Sequence, residues 1–178
     1  MEIFTIEELK ETISVFSTTQ CEFLTENCIV ALEKNNHASG CKLDVVGDTT
    51  KCFNLKWSNK VNTAGYKEPK KIIEHAAEAI SFFLSSKFTN FTVIEEALIG
   101  TGIDYWLGYD EFHQLYDPKN FILARLEISG INKENPTNSL EKRVKEKMQQ
   151  SKTSDNSKLP AYISVVEFAT PKAFFGKK

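Results

Sequence analysis

Two apolar, strand-like runs in this chain are each interrupted by a single carboxylate. Gly102-Ile103-Asp104-Tyr105-Trp106-Leu107 carries Asp104, and Ala124-Arg125-Leu126-Glu127-Ile128-Ser129 carries Glu127. A carboxylate withdrawn from water is expensive unless it meets a cation, a donor or a proton. By strand alternation Asp104 and Trp106 share one face, while Glu127 lies with Leu123, Arg125 and Ser129. If the two strands are neighbours, the carboxylates meet. They then make a site for a hard divalent cation, or one of them protonates.

At 178 residues the chain is expected to form a single domain, 1–178, with a core of its own. Its 41% hydrophobic and 26% charged residues are those of an ordinary globular protein. A formal net charge of −2 gives no global pull toward nucleic acid or anionic membrane, so any such contact rests on a local basic patch. Glu141 to Lys158 is the candidate. The start, Met1-Glu2-Ile3-Phe4, is acidic at once and unlike a signal peptide, and no window approaches the ~18 apolar residues of a membrane span. The expectation is a cytoplasmic protein without a membrane partner. Cys21, Cys28, Cys41 and Cys52 lack the close C-x-x-C spacing of zinc sites and read as thiols in the core or on strands.

Thr5 and Glu8 have the spacing of a capping box, opening a short helix with Ile6, Leu9 and Ile13 on one side. Strand-like runs follow at Cys28–Lys34, Lys42–Val46 and Lys51–Trp57, joined by turn-type links, which predicts a helix plus antiparallel meander over residues 1–60. Pro69 suits the first turn of a helix running to about Ser86, apolar almost all round from Ala76 to Leu84 and so buried on more than one side. Strands are expected at Phe91–Leu98, Ile103–Leu107 and Phe121–Ile131, a helix from Leu140 to about Gln150, a mobile polar loop at Ser151–Ser157, and a last strand at Ala161–Phe168. Phe174-Phe175 in the tail either packs back or serves a partner.

Helix spacing puts Arg143, Lys147 and Gln150 in one row, bordering the apolar stripe of Leu140, Val144 and Met148. Glu78, on the long helix, sits among Ala77, Ala79 and Phe82. Carboxylates for Mg²⁺, a cation for developing charge and a positioned water are the kit of metal-assisted phosphodiester hydrolysis.

The order helix–three strands–helix–strand over residues 68–170 resembles the core of the PD-(D/E)XK nuclease superfamily. The resemblance implies an α/β, restriction-endonuclease-like mixed sheet, and an Mg²⁺- or Mn²⁺-dependent nuclease acting on DNA, in phage defence or repair. Asp104 matches the Asp of the second strand and Glu127 the Glu of the third, which would make both metal ligands. Glu78 matches the acidic residue of the first core helix, and Lys147 with Gln150 the polar residues of the second. The motif lysine is missing, because its position holds Ser129. Members that carry the lysine on the following helix would make Lys147 or Arg143 the substitute. Dimerisation suits a small nuclease, although no residue here demands it.

The rival reading is a non-enzymatic interaction protein, an immunity-type or accessory subunit with the same fold. Ser129, the slightly acidic charge and the lack of a broad basic surface favour it. Residue by residue, Asp104 also suits a turn position bonding backbone amides, Glu127 an ion pair with Arg125 or a cross-strand lysine, and Glu78 a solvated helix face. His37, His75 and His113 have no Ser or Cys setting that points to a hydrolase triad.

Overall fold

A computed structural model describes residues 2–178. Eight strands form one mixed sheet: β1 (Glu2–Thr5), β2 (Cys41–Gly47), β3 (Lys51–Lys56), β4 (Thr92–Glu96), β5 (Tyr105–Gly108), β6 (Ala124–Ile131), β7 (Ala161–Glu167) and β8 (Lys172–Lys177). Their order across the sheet is β1-β3-β2-β8-β7-β6-β5-β4. The helices are α1 (Thr18–Lys34), α2 (Pro69–Thr89) and α3 (Leu140–Gln150), with 3-10 helices at Ile6–Glu11, Thr63–Gly65 and Ser151–Ser157. The α/β class and the mixed sheet follow the sequence expectation.

In the second half, β4, β5 and β6 pair antiparallel in succession. The α3 crossover then returns the chain to β7, parallel to β6. Alternation along β6 separates two layers. Leu126 and Ile128 join the core cluster that includes Ile73, Ala76 and Ile80 of α2, while Ile131 packs with Val144 of α3 and with Ile163 and Val165 of β7. Helix α2 therefore covers one face and α3 the other. Gly130 lets α2 approach closely, because a Cβ there would lie 2.5 Å from the Ile73 carbonyl oxygen. Pro69 occupies the first turn of α2, and Asn90 ends it in the left-handed region at φ 61°.

The first sixty residues differ from the expected helix and three-strand meander. Cys28–Lys34 is not a strand but the last part of α1, in which Cys28, Ile29, Val30, Ala31 and Leu32 are all 1% exposed or less. A helix buried all round loses its 3.6-residue polar rhythm, and its apolar run then reads like a strand. Its start carries a local signal: Ser17 and Gln20 form a reciprocal capping box. Thr5 makes no such side-chain cap, and the helix after it is 3-10, although Ile6, Leu9 and Ile13 are buried as expected. Only β2 and β3 pair antiparallel there; β1 runs parallel to β3. The Phe174-Phe175 tail is a strand lying between β7 and β2, which joins the two halves in one sheet.

Ser151–Ser157, expected to be a mobile loop, is a packed 3-10 segment with Ser151 fully buried. Arg125, 4% exposed, holds it. Its guanidinium donates to the Ser151 carbonyl, to Ser154 Oγ at 2.9 Å and to Asp155, while Nε donates to the Leu159 carbonyl. Among the described residues no helix is long and apolar enough to cross a membrane.

Candidate functional site

The site arises from a mismatch in strand length. β5 pairs with β6 only across Ala124–Leu126, so Ile128 to Ile131 run past the end of β5. An unpaired strand edge between two helices is a cleft with exposed amides. Asp104 closes the end of the ladder. Its backbone N–H donates to the Leu126 carbonyl, and its Oδ2 accepts the Ile128 N–H at 2.7 Å. A carboxylate oxygen thus stands where the next strand carbonyl would have been. The backbone-bonding role expected of Asp104 is real, but the amide comes from β6 rather than from the Gly-Thr-Gly turn.

Glu127 is fully buried and faces the α3 side of the sheet. Its partner is Lys147, which donates to Oε1 and also to Gln150 Oε1 at 3.2 Å. Arg125 is not that partner, since it is committed to Asp155 and the 151–157 segment. The other oxygen, Glu127 Oε2, is buried, and among the described residues no hydrogen-bond donor reaches it. The carboxyl group within reach of Glu127 is that of Asp104. Two ionised carboxylates cannot bond each other, so the contact requires a shared proton or a cation. Burial pushes the Glu127 carboxyl up to about 7, and the Asp104 charge adds to the rise against the pull of Lys147. Asp104 is also raised, first by burial, with the Ile128 amide and Lys147 opposing.

Glu78 reaches the same place from α2. Its Oε1 accepts the Tyr105 hydroxyl at 3.1 Å, and its Oε2 lies 3.2 Å from His75 Nδ1. It is not a plain solvated residue, and burial raises its carboxyl above the usual range despite His75. The cleft beside β6 measures about 580 Å³ and is lined by Lys70, His75, Glu78, Asp104, Ser129, Arg143 and Lys147, among others. A second cleft, about 440 Å³, shares Glu78 and Asp104 and adds Gln150, Gly102 and Ile99. Asp104 and Glu78 therefore stand between two openings.

The five residues singled out in the sequence, Glu78, Asp104, Glu127, Lys147 and Gln150, are gathered here. They form one chain of contacts from Gln150 through Lys147 and Glu127 to Asp104, with Glu78 alongside. Ser129, at the motif-lysine position, accepts a hydrogen bond from Arg143 Nη1 at 3.0 Å, and Asn138 holds Nη2 at 2.8 Å. The residue that sequence reasoning set aside is His75. Its signal was the i, i+3 spacing to Glu78, which places both side chains on one helix face.

Among the described residues no cluster of three or more His, Cys, Asp or Glu side chains is arranged to hold a metal ion. The chemistry of the pair still suits a hard cation. Mg²⁺ binds through one or two carboxylates and fills its remaining positions with water and substrate phosphate, and the orphaned Oε2 supplies an unsatisfied oxygen. In comparisons with known proteins, the chain matches no family profile, no curated protein and no solved structure.

Proposed function

We propose that this protein is a metal-dependent nuclease that hydrolyses phosphodiester bonds in DNA, with Asp104 and Glu127 as ligands for Mg²⁺ or Mn²⁺. The observation that carries the reading is the buried contact between these two carboxyl groups, one oxygen of which has no donor. The helix–strand–strand–strand–helix–strand order of residues 69–167, with an antiparallel β4-β5-β6 run and a parallel β7, supports a PD-(D/E)XK-like assignment.

Each residue has a physical task in this reading. A bound divalent cation supplies Lewis-acid activation of water and offsets phosphate charge. Lys147 holds Glu127 in orientation, supplies the positive charge that Ser129 cannot, and is itself steadied by Gln150. Arg143, fixed by Ser129 and Asn138, lines the cleft together with Lys70 and presents charge to a phosphate. DNA is drawn in by these local cations rather than by the net charge of −2. Phage defence or repair is the proposed setting.

The test is cleavage of supercoiled, linear and single-stranded DNA with Mg²⁺ or Mn²⁺ by wild type, Asp104→Ala and Glu127→Ala. Cutting by wild type that both substitutions abolish in folded protein supports the reading. Wild type that never cuts, and whose melting temperature no metal raises, overturns it in favour of a partner-binding protein of the same fold.

A further inference from the structure

His75 and Glu78 form a carboxylate–histidine pair in the wall of the cleft, and the metal reading leaves this pair unused. The imidazole is held on both sides. Nδ1 lies 3.2 Å from Glu78 Oε2, and the Phe23 ring meets the imidazole edge-on with centroids 4.8 Å apart. Glu78 is in turn fixed by the Tyr105 hydroxyl at 3.1 Å on its other oxygen. A carboxylate on Nδ1 sets the tautomer and orientation of the ring. The remaining nitrogen, Nε2, has no hydrogen-bond partner among the described residues. The side chain is 34% exposed and lines the cleft that also contains Asp104 and Arg143.

Position separates this pair from the Glu127–Lys147 side. Glu127 and Lys147 lie on the α3 face of the sheet, whereas His75 and Glu78 approach from α2. Tyr105, which holds Glu78, directly follows Asp104 in the chain, so the two groups flank one opening. A phosphate seated there has Asp104, with Glu127 buried behind it, on one side and an oriented imidazole on the other. In-line displacement needs this polarity: a nucleophile on one side and a proton for the departing oxygen on the other.

Building on the nuclease reading, we propose that His75 is the general acid of the reaction, protonating the leaving alkoxide, with Glu78 and Tyr105 as positioning residues. The water oxygen bonds to phosphorus as the P–O bond to the leaving nucleoside breaks. The proton on His75 Nε2 passes to that nucleoside oxygen, and the water's surplus proton is released to solvent. His75 then regains its proton from solvent. Glu78 is thereby assigned to the imidazole rather than to the metal.

The test varies the leaving group. Oligonucleotides containing one phosphorothiolate linkage at a mapped cleavage site, sulfur replacing either the 3′- or the 5′-bridging oxygen, depart as thiolates and need no proton. Wild type, His75→Gln, Glu78→Gln and Asp104→Ala are compared on these and on unmodified DNA with Mn²⁺. His75→Gln should lose about 10²–10⁴-fold on unmodified DNA and recover to within about threefold of wild type on one of the sulfur linkages, which identifies the leaving side. Glu78→Gln should show a smaller loss with the same recovery, and Asp104→Ala none. A His75→Gln enzyme that cuts unmodified DNA like wild type, or that stays equally slow on both sulfur linkages, overturns the general acid and leaves the metal reading intact. Wild type inert on every substrate overturns both.

Discussion

Lys147 of α3 donates to Glu127 of β6, a carboxylate with no solvent exposure that also interacts with the carboxyl group of Asp104 and whose Oε2 meets no donor among the described residues. One ammonium therefore faces two carboxyl groups. The arrangement is short of positive charge, and that deficit leads to several measurable effects.

Removing the ammonium should enlarge the deficit. Lys147→Met takes away the group that opposes the rise of Glu127, so the Glu127 carboxyl titrates still higher than about 7. At pH 8 the variant should be less stable by about 1–3 kcal/mol, the scale for a buried polar group left unpartnered. Urea melts and carboxyl titration by NMR would show it. Unchanged stability and an unchanged Glu127 titration would mean that Lys147 is incidental.

The pH dependence of stability has a definite sign. Burial raises the folded-state value of Glu127 from the ordinary 4.5 to about 7, so between those values the folded protein binds the extra proton. Metal-free stability should therefore fall as pH rises through that window and level off above it. Asp104, also raised, acts in the same direction. Glu127→Gln cannot ionise at this position. The stability of wild type relative to Glu127→Gln should drop by about 3 kcal/mol from pH 4.5 to 8, from ~1.4 kcal/mol per unit. Parallel pH profiles for the two proteins would contradict the buried-pair account.

Arg125 tests the frame behind the site. It is 4% exposed and bonds Ser151, Ser154, Asp155 and Leu159. Arg125→Leu strands several of these acceptors and should cost about 2–4 kcal/mol, with faster hydrogen exchange over residues 151–157. Lysine cannot reproduce the fork and should rescue little.

Gly102 tests the turn that leads into Asp104. It adopts φ 75°, and a Cβ there would lie 2.5 Å from the Gln150 carbonyl oxygen and 3.0 Å from Thr153 Cβ. Gly102→Ala must move either the turn or the end of α3. A loss of about 1–3 kcal/mol is expected, together with weakened metal binding, because Asp104 and Gln150 shift relative to each other. A variant with wild-type stability and metal affinity would show that the close approach is not needed.

What was legible in the sequence follows from how far side-chain rhythm records burial. Helices α2 and α3 were readable because Pro69 marks the start of one and a polar face flanks Val144 and Met148 in the other. Strands β4 to β7 were readable from apolar runs bounded by turns, and the isolated carboxylates in two of them led to Asp104 and Glu127. The C-terminal half of α1 was not readable, since a fully buried helix has no polar face to mark its period. Strand β8 was hidden by its length, six residues after Pro171, and its place between β7 and β2 is set by long-range pairing. The order in Ser151–Ser157 depends on Arg125, some thirty residues earlier, which local composition does not record. His75 has no Ser or Cys setting to mark it, and its partner is Glu78, three residues on.

The most direct test of the central claim, that Asp104 and Glu127 act as one cation site, is calorimetric titration with Mn²⁺. It would be run at pH 6.5 and pH 8 in buffers of different ionisation enthalpy, on wild type and Asp104→Asn. The account predicts binding to wild type at both pH values. Protons should be released at pH 6.5, where Glu127, titrating near 7, is still partly protonated, and few at pH 8. It also predicts loss of that binding in Asp104→Asn. Absence of heat in wild type, or binding unchanged by the substitution, would contradict it.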